Sequence, residues 1–211
     1  MDHIADLSPF AHAAAGGDEQ AFRVLYRQVQ PGLLRYLTGL VDKEAEDVAA
    51  ETWLQIARDI RGYREQGGGF RAWATSIARH RAIDHLRQRR RRPAVPMPTD
   101  AFLDLANADD PSDEAEAGLR TRAAIALIAT LPRDQAEAVL LRVVVGLDTE
   151  SAAQVLGKRA GAVRTATHRG LRRLAARLDG GTDETTTQRQ PPAGQRAGVT
   201  QLRPATPRDS R

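Results

Sequence analysis

The feature that most constrains this chain is a stretch from Phe70 to Arg92 that begins apolar and ends as a run of arginine. Its apolar residues recur at helical spacing and define one stripe: Phe70, Trp73, Ala74, Ile77, Ala78 and Leu86. Eight arginines and a single acid, Asp84, lie in the stretch. Nucleic acid is the commonest partner that matches such an excess of positive charge. The alternative is a soluble helix that ends in a basic linker.

The segment before this stretch predicts a helix of opposite charge. Residues from Lys43 to Ile60 place an apolar stripe inward and an acidic face outward. Asp47 and Glu51 lie four residues apart on that face, and Gln55 follows at the same spacing. An acidic face on a chain of formal net charge +4 favours a second partner that is not DNA. A solvated face is the alternative.

The N-terminal part predicts one helix behind a loose arm. Residues 1–17 end in three alanines and two glycines, and we expect an arm without fixed structure. Asp18 is a candidate N-cap for a helix whose apolar residues continue to Leu40. Pro31 lacks an N–H group and is expected to kink or restart this helix.

The segment from Arg61 to Gly69 predicts a loop because it ends in three consecutive glycines. Glycine costs about 1 kcal/mol relative to alanine inside a helix. Arg61, Tyr63 and Arg64 could hold or stack on an unpaired base, whereas Tyr63 could equally pack into the core.

Residues 93–119 change character. Seven acids and no base occupy this proline-containing segment, which we interpret as a flexible linker. Residues 179–211 lack apolar periodicity and are interpreted as a disordered tail. The linker and tail leave two candidate domains, at 18–92 and 120–178.

The second candidate domain predicts a helix-turn-helix. A first helix over about Leu119 to Thr130 and a second opened by Pro132 precede a short helix capped by Asp148. Gly157 then makes a turn before a last helix over about Ala160 to Leu178. The expected core residues of the second and last helices are Val139, Leu140, Val143, Val144, Val163, Thr167, Leu171, Leu174 and Leu178. Residues 157–178 contain seven bases and no acid, which favours a DNA-facing helix.

The composition narrows the classes of fold and function that remain. Apolar residues make up 41% of the sequence but aromatic residues only 4%, so the core is built mostly from aliphatic side chains. We therefore expect an all-α fold with two small helical domains joined by the acidic linker. The chain has no cysteine, and its five histidines show no metal-ligand spacing, so we expect no metal and no cofactor. No stretch of 18 apolar residues exists, and we expect a soluble, cytoplasmic protein without membrane insertion.

Two parts of the sequence, in this order, resemble the extracytoplasmic-function sigma factors of the sigma-70 family, which are subunits of bacterial RNA polymerase. Residues 45–57 and 70–92 resemble region 2 of that family, and residues 131–174 resemble region 4. The resemblance implies a non-enzyme that directs promoter recognition, promoter melting and transcription initiation at a specific regulon. Its implied partners are the RNA polymerase core (the β′ clamp helices and the β flap), promoter DNA and an anti-sigma factor.

The resemblance also implies roles for individual residues. Core binding falls to Asp47, Glu51 and Gln55. Contacts to the −10 element fall to Arg61, Tyr63, Arg64, Arg71, Ser76, Arg79, His80 and Arg87. Contacts to the −35 element fall to Arg159, Gly161, Arg164, Thr165, His168 and Arg169. The sequence departs from the family at His80, where Asn is common, and at Gly170, where better helix-forming residues are usual.

Two other functions fit part of the sequence. A stand-alone helix-turn-helix regulator explains residues 120–178 and predicts a dimer on a palindromic site. It leaves both charged faces of the first domain unused. An enzyme acting on nucleic acid, such as a serine recombinase, needs a sheet-bearing catalytic domain, and no strand alternation precedes residue 120.

Overall fold

The computed structural model describes residues 6–65, 68–91 and 113–180. These residues form eight α-helices and no strand, which confirms the all-α prediction. The helices are α1 (Ser8–Ala15), α2 (Glu19–Val41), α3 (Ala45–Asp59), α4 (Gly69–Arg91), α5 (Asp113–Ala129), α6 (Arg133–Val139), α7 (Thr149–Leu156) and α8 (Ala160–Gly180). Residues 1–5, residues 93–112 of the predicted linker and the predicted tail beyond Gly180 lie outside the described residues.

The first domain consists of α1 to α4 around an aliphatic core. Asp18 caps α2 as predicted, because its carboxylate accepts the N–H groups of Gln20 and Ala21 at 2.8 and 3.0 Å. The helix then runs through Pro31 to Val41 as one element, so it does not restart at the proline. A 3₁₀ turn at Asp42–Glu44 leads into α3, and α4 packs on both α2 and α3.

The expectation of a loose N-terminal arm is wrong for residues 7–15. Leu7, Ala11 and Ala14 recur at helical spacing and are buried against the domain. The ring of His12 contacts Tyr63 edge-on, with centroids 6.3 Å apart. Three small apolar contacts spaced along one face are sufficient to order this short helix, because α2 supplies the surface that buries them.

The second domain consists of α5 to α8. Helix α5 begins at Asp113, earlier than the predicted start near Leu119. The segment 113–118 is rich in alanine and acidic residues. Alanine and glutamate are good helix formers, and acidic side chains are favourable near the N-terminus of a helix. The last seven residues of the predicted linker are therefore helical.

A π-helical turn at Leu140–Val144 corrects the predicted core of the second domain. The N–H of Val145 donates to the carbonyl oxygen of Leu140 at 3.0 Å, which is an i→i+5 bond. The wider turn shifts the helical register, so Leu140 and Leu141 are buried while Val143 is 59% exposed. The prediction of Val143 as a core residue is therefore wrong.

The buried stripe of α8 also differs from the predicted one. It passes through Val163, Gly170 and Leu174. Leu171 and Leu178, which were expected in the core, are 44% and 62% exposed. A Cβ on Gly170 would lie only 2.7 Å from Cγ2 of Val139, so the glycine lets α8 approach α6 closely. Because Gly170 faces α6, the next residue, Leu171, lies about 100° further round the helix and outside the buried stripe.

The two domains pack against each other. Helix α4 contacts α7, and α2 contacts both α5 and the π-helical turn. Gly39 of α2 lies against Leu140, where an added Cβ would be 2.7 Å from the leucine Cδ1. The buried apolar residues of both domains therefore form one continuous cluster.

Candidate nucleic-acid interface

The acidic face of α3 is open to solvent. Asp47 and Glu51 are exposed and form no ion pair in the described part of the chain. Gln55 is half-buried and tied to its surroundings, since its amide nitrogen donates to Asp59 and its oxygen accepts from Arg81, both at 2.6 Å. Gln55 therefore helps to hold α4 against α3 and is less available than the two acids.

Leu54 lies beside this acidic face, and the sequence analysis did not single it out. Its side chain is 59% exposed, although leucine is most often buried. It lies three residues after Glu51, next to the acids rather than on the apolar stripe. A protein bound over this face would bury the Leu54 side chain together with the acids. The sequence marks this position, because Leu54 falls outside the helical spacing of the apolar residues of α3.

Helix α4 is held on α3 by small buried residues and by arginine contacts. Ala74, Ala78 and Ala82 are fully buried in α4, which packs on both α2 and α3. Arg89 pairs with Glu44 at 2.7 Å. Arg87 pairs with Asp84 at 3.3 Å, and both side chains are exposed, so this pair contributes little to stability. His80 is exposed on the same helix.

The loop before α4 separates its three candidate residues. Arg61 and Arg64 are exposed, whereas Tyr63 is only 4% exposed. The Tyr63 ring contacts Phe70 and Trp73 with centroids 5.8 and 5.1 Å apart. Of the two interpretations of Tyr63, the packing role is the one observed in this conformation. Burial raises the pKa of its hydroxyl, with Glu65 and Asp6 adding to the shift.

The remaining candidates on α4 are partly covered. Arg71 is half-buried, donates to the carbonyl oxygen of Gln28 at 3.4 Å, and has its pKa lowered by burial. Ser76 donates to the carbonyl oxygen of Ala72 at 3.0 Å. Arg79 pairs with Glu137 of the second domain at 3.1 Å. The second domain thus lies over this part of α4.

The helix-turn-helix is formed by α7 and α8 as predicted. Asp148 caps α7 by accepting the N–H of Ser151 at 2.7 Å, and this bond is the main cause of the lowered pKa of Asp148. Gly157 ends α7 with φ of 63°, a left-handed conformation that glycine adopts without strain. Val163 is fully buried and fixes the start of α8 against the domain.

One face of α8, with the turn residue Arg159 just before it, carries the second set of candidate residues. All six are exposed: Arg159, Gly161, Arg164, Thr165, His168 and Arg169. The Thr165 hydroxyl donates to the carbonyl oxygen of Gly161 at 3.0 Å. The structure therefore brings the α8 set together on an open surface, while it divides the α4 set among exposed, buried and covered positions.

In the described ranges, no group of three or more His, Cys, Asp or Glu side chains could hold a metal ion. None of the helices described is both long and apolar enough to cross a membrane.

Comparison with known families agrees with this geometry. The profile described as Sigma-70 region 2 matches residues 25–92, which cover most of the first domain. The profile described as Sigma-70, region 4, matches residues 121–174, which contain the helix-turn-helix. The boundary between the matched regions falls where the predicted linker lies.

Curated relatives of this chain are named as ECF RNA polymerase sigma factors. The chain is 36% identical to the ECF RNA polymerase sigma factor ShbA of Streptomyces griseus, over 83% of this chain and 96% of the relative. It is also 36% identical to the ECF RNA polymerase sigma factor SigD of Mycobacterium tuberculosis, over 76% of this chain and 78% of that relative.

Solved structures agree in fold. CnrH, solved in complex with the cytosolic domain of CnrY, matches with a TM-score of 0.59 and 22% identity, over 83% of this chain and 99% of CnrH. RpoE of Bartonella quintana, solved with the anti-sigma factor NepR, matches with a TM-score of 0.56 and 22% identity, over 75% of this chain and 96% of RpoE. The two profile matches and the curated relatives show that this chain belongs to the ECF sigma factors of the sigma-70 family.

Proposed function

We propose that this sigma factor directs transcription initiation at a specific set of promoters through three separate surfaces. Sigma factors are non-catalytic initiation factors, so the surfaces bind and position rather than react. One surface binds the polymerase, one binds the −10 element as it melts, and one reads the −35 element. We place the protein in the cytoplasm, where the bacterial polymerase and chromosome are.

The polymerase surface is the acidic face of α3. Asp47 and Glu51 project together because they are four residues apart on a helix. Both are exposed, and Leu54 adds an apolar contact at their side. This combination suits the clamp helices of the β′ subunit, with the carboxylates setting orientation and Leu54 contributing buried area. Gln55 lies at the edge of this surface, where its side-chain oxygen accepts a hydrogen bond from Arg81.

The −10 surface is the exposed side of α4 with the loop before it. Arg61, Arg64 and Arg87 supply phosphate contacts, and His80 lies on the same side as a candidate for base contact. We also assign Arg71, Ser76 and Arg79 to this surface, although all three are partly covered in this conformation. Tyr63 supports the surface from below by packing on Trp73.

The −35 surface is the exposed face of α8, and this face is the observation that carries the proposal. It projects basic and hydroxyl side chains from a helix-turn-helix, and residues 157–178 contain no acid. We assign Arg164 and Thr165, in the first half of α8, to base edges in the major groove, and Arg169 to a phosphate. We also propose that the second domain binds the β flap and that an anti-sigma factor regulates this chain.

A DNA selection experiment tests the proposal against a stand-alone regulator. Random duplex DNA is selected by the chain bound to core polymerase and, in parallel, by the chain alone. We expect the complex to enrich an asymmetric pair of elements at constant spacing. Enrichment of a single palindrome by the chain alone, with no contribution from polymerase, would favour the dimeric regulator.

A further inference from the structure

Gly161 lies in the first turn of α8, in the middle of the DNA-facing side of that helix. Arg164 and Thr165 follow three and four residues later, so they flank residue 161 on the helix surface. His168 follows two turns along the same side. All four residues are exposed. Because Arg164 and Thr165 are assigned above to base edges, the glycine between them faces base pairs and not the phosphates at the rim of the groove.

The fold does not require a glycine at residue 161. The backbone there is helical, and an added Cβ would meet nothing within 4 Å among the described residues. Gly170 of the same helix differs, because its added Cβ would lie 2.7 Å from Cγ2 of Val139. Glycine is also a poor helix former, so most side chains at residue 161 would favour the helix. Gly161 therefore leaves an open notch in the DNA-facing surface that helix packing does not explain.

The chemistry of this notch favours an apolar group. Glycine brings no side chain to it, and the Thr165 hydroxyl donates to the carbonyl oxygen of Gly161 at 3.0 Å. That bond engages the hydroxyl hydrogen and leaves the methyl group and the oxygen lone pairs of Thr165 beside the notch. A polar base group held against the glycine would lose water without gaining a matched partner, which is unfavourable. An apolar group needs no such partner.

Thymine carries the one apolar group on the major-groove edges of DNA, its C5-methyl group. We propose that the −35 element contains a thymine whose methyl group occupies the notch at Gly161 and packs against the methyl group of Thr165. Threonine is one of the residues whose methyl group contacts thymine in this way. The proposal rests on the assignment of α8 to the −35 element, and it adds a base that this element must contain.

The position of this thymine is also constrained. Side chains three residues apart on a helix have Cβ atoms about 5–6 Å apart, and successive base pairs are about 3.4 Å apart. The thymine at Gly161 therefore lies within about two base pairs of the base that Arg164 reads.

Removal of single methyl groups from DNA tests the proposal. The probe is the duplex that the full chain, bound to core polymerase, enriches from random DNA. Each thymine of its upstream element, on either strand, is replaced in turn by uracil, which lacks only the methyl group. We expect one replacement to weaken binding about fourfold, as the loss of one buried methyl group predicts. An upstream element without a methyl-sensitive thymine would overturn the proposal.

Gly161→Leu fills the notch and connects the methyl effect to this residue. Leucine is a good helix former and its Cβ has open space, so the melting temperature should not fall. The variant complex should lose the fourfold preference for thymine over uracil at the sensitive position. Gly118→Leu on α5 is the matched control, because its added Cβ also meets nothing within 4 Å, and it should keep the preference. A Gly161→Leu complex that keeps the preference would contradict the proposal.

The remaining outcomes separate the notch from the role of α8. If Gly161→Leu weakens all duplexes equally and the preference for thymine stays, the glycine serves a close approach to the DNA backbone and the notch is overturned. If Arg164→Ala relaxes one position but no methyl-sensitive thymine lies within about two base pairs of it, α8 keeps its role and the notch alone is overturned. If the complex enriches no upstream element, the role of α8 and the notch both fail.

Discussion

Gly170 of α8 lies against Val139 of α6 so closely that a Cβ at residue 170 would be 2.7 Å from Cγ2 of the valine. Leu131 and Gln135 close the same space at 3.4 and 3.5 Å. Glycine inside a helix costs about 1 kcal/mol relative to alanine. This helix crossing therefore explains a residue that the propensity of α8 alone would disfavour.

Gly170→Ala should destabilise the chain by about 1 kcal/mol, because overpacking costs about 1–3 kcal/mol and exceeds the gain in helix propensity. Urea unfolding followed by circular dichroism measures the difference. Gly118→Ala is the matched control, since nothing lies within 4 Å of its added Cβ in α5. The control should be neutral or stabilising. Equal stabilisation by both changes would show that α8 can shift to accept the methyl group.

The cap of α7 predicts a pH dependence. The hydrogen bond from Ser151 N–H lowers the pKa of Asp148, so its contribution to stability is present above the unfolded pKa and is lost as the pH falls through the folded pKa. Asp148→Ala should cost about 1 kcal/mol at neutral pH. Asp148→Asn keeps the acceptor and should lose less. The cost of Asp148→Ala should shrink in acid, and a cost independent of pH would contradict a role for the charge.

The polymerase surface predicts a loss of binding without a loss of fold. Asp47→Arg combined with Glu51→Arg reverses two exposed charges outside the apolar stripe. Co-purification with core polymerase should fall strongly, because like charges would replace complementary ones, while the melting temperature should stay close to that of the parent. Glu46→Arg, on another side of the same helix, is the control for added positive charge. Equal loss with Glu46→Arg would indicate a general charge effect.

The −35 surface predicts different consequences for two arginines of α8. Arg164→Ala should relax sequence preference by about 1–3 kcal/mol at one position, if its guanidinium reads a base edge. Arg172→Ala, later on the helix, should weaken binding evenly over all sequences and reduce its salt dependence. Affinities of the polymerase complex for a panel of single-base promoter variants distinguish the two. An even loss with Arg164→Ala would reassign it to phosphate contact.

Much of the local structure followed from sequence because it depends on neighbouring residues. Asp18 and Asp148 act as caps through bonds to N–H groups two or three residues away. Gly157 adopts a left-handed conformation that its residue type favours. The faces of α3 and α8 followed from the helical period, which needs no knowledge of tertiary contacts.

The features that sequence did not predict depend on distant parts of the chain. The π-helical turn moves Val143 outward through a change of register that no local pattern marks. Helix α1 is ordered because α2 buries Ala11 and Ala14. Tyr63 was open to two interpretations because only the fold brings it to Phe70 and Trp73. The covering of Arg79 by Glu137 joins residues from two domains.

Run-off transcription tests the central claim most directly. Purified core polymerase is supplied with genomic DNA from the source bacterium, with and without this chain, and the RNA start sites are mapped. A primary sigma factor added to the same core on its own promoter shows that the enzyme is active. We predict new start sites that require the chain, share two upstream elements at constant spacing, and disappear with Asp47→Arg and Glu51→Arg. An active core that gains no start sites from the folded parent chain would contradict the account.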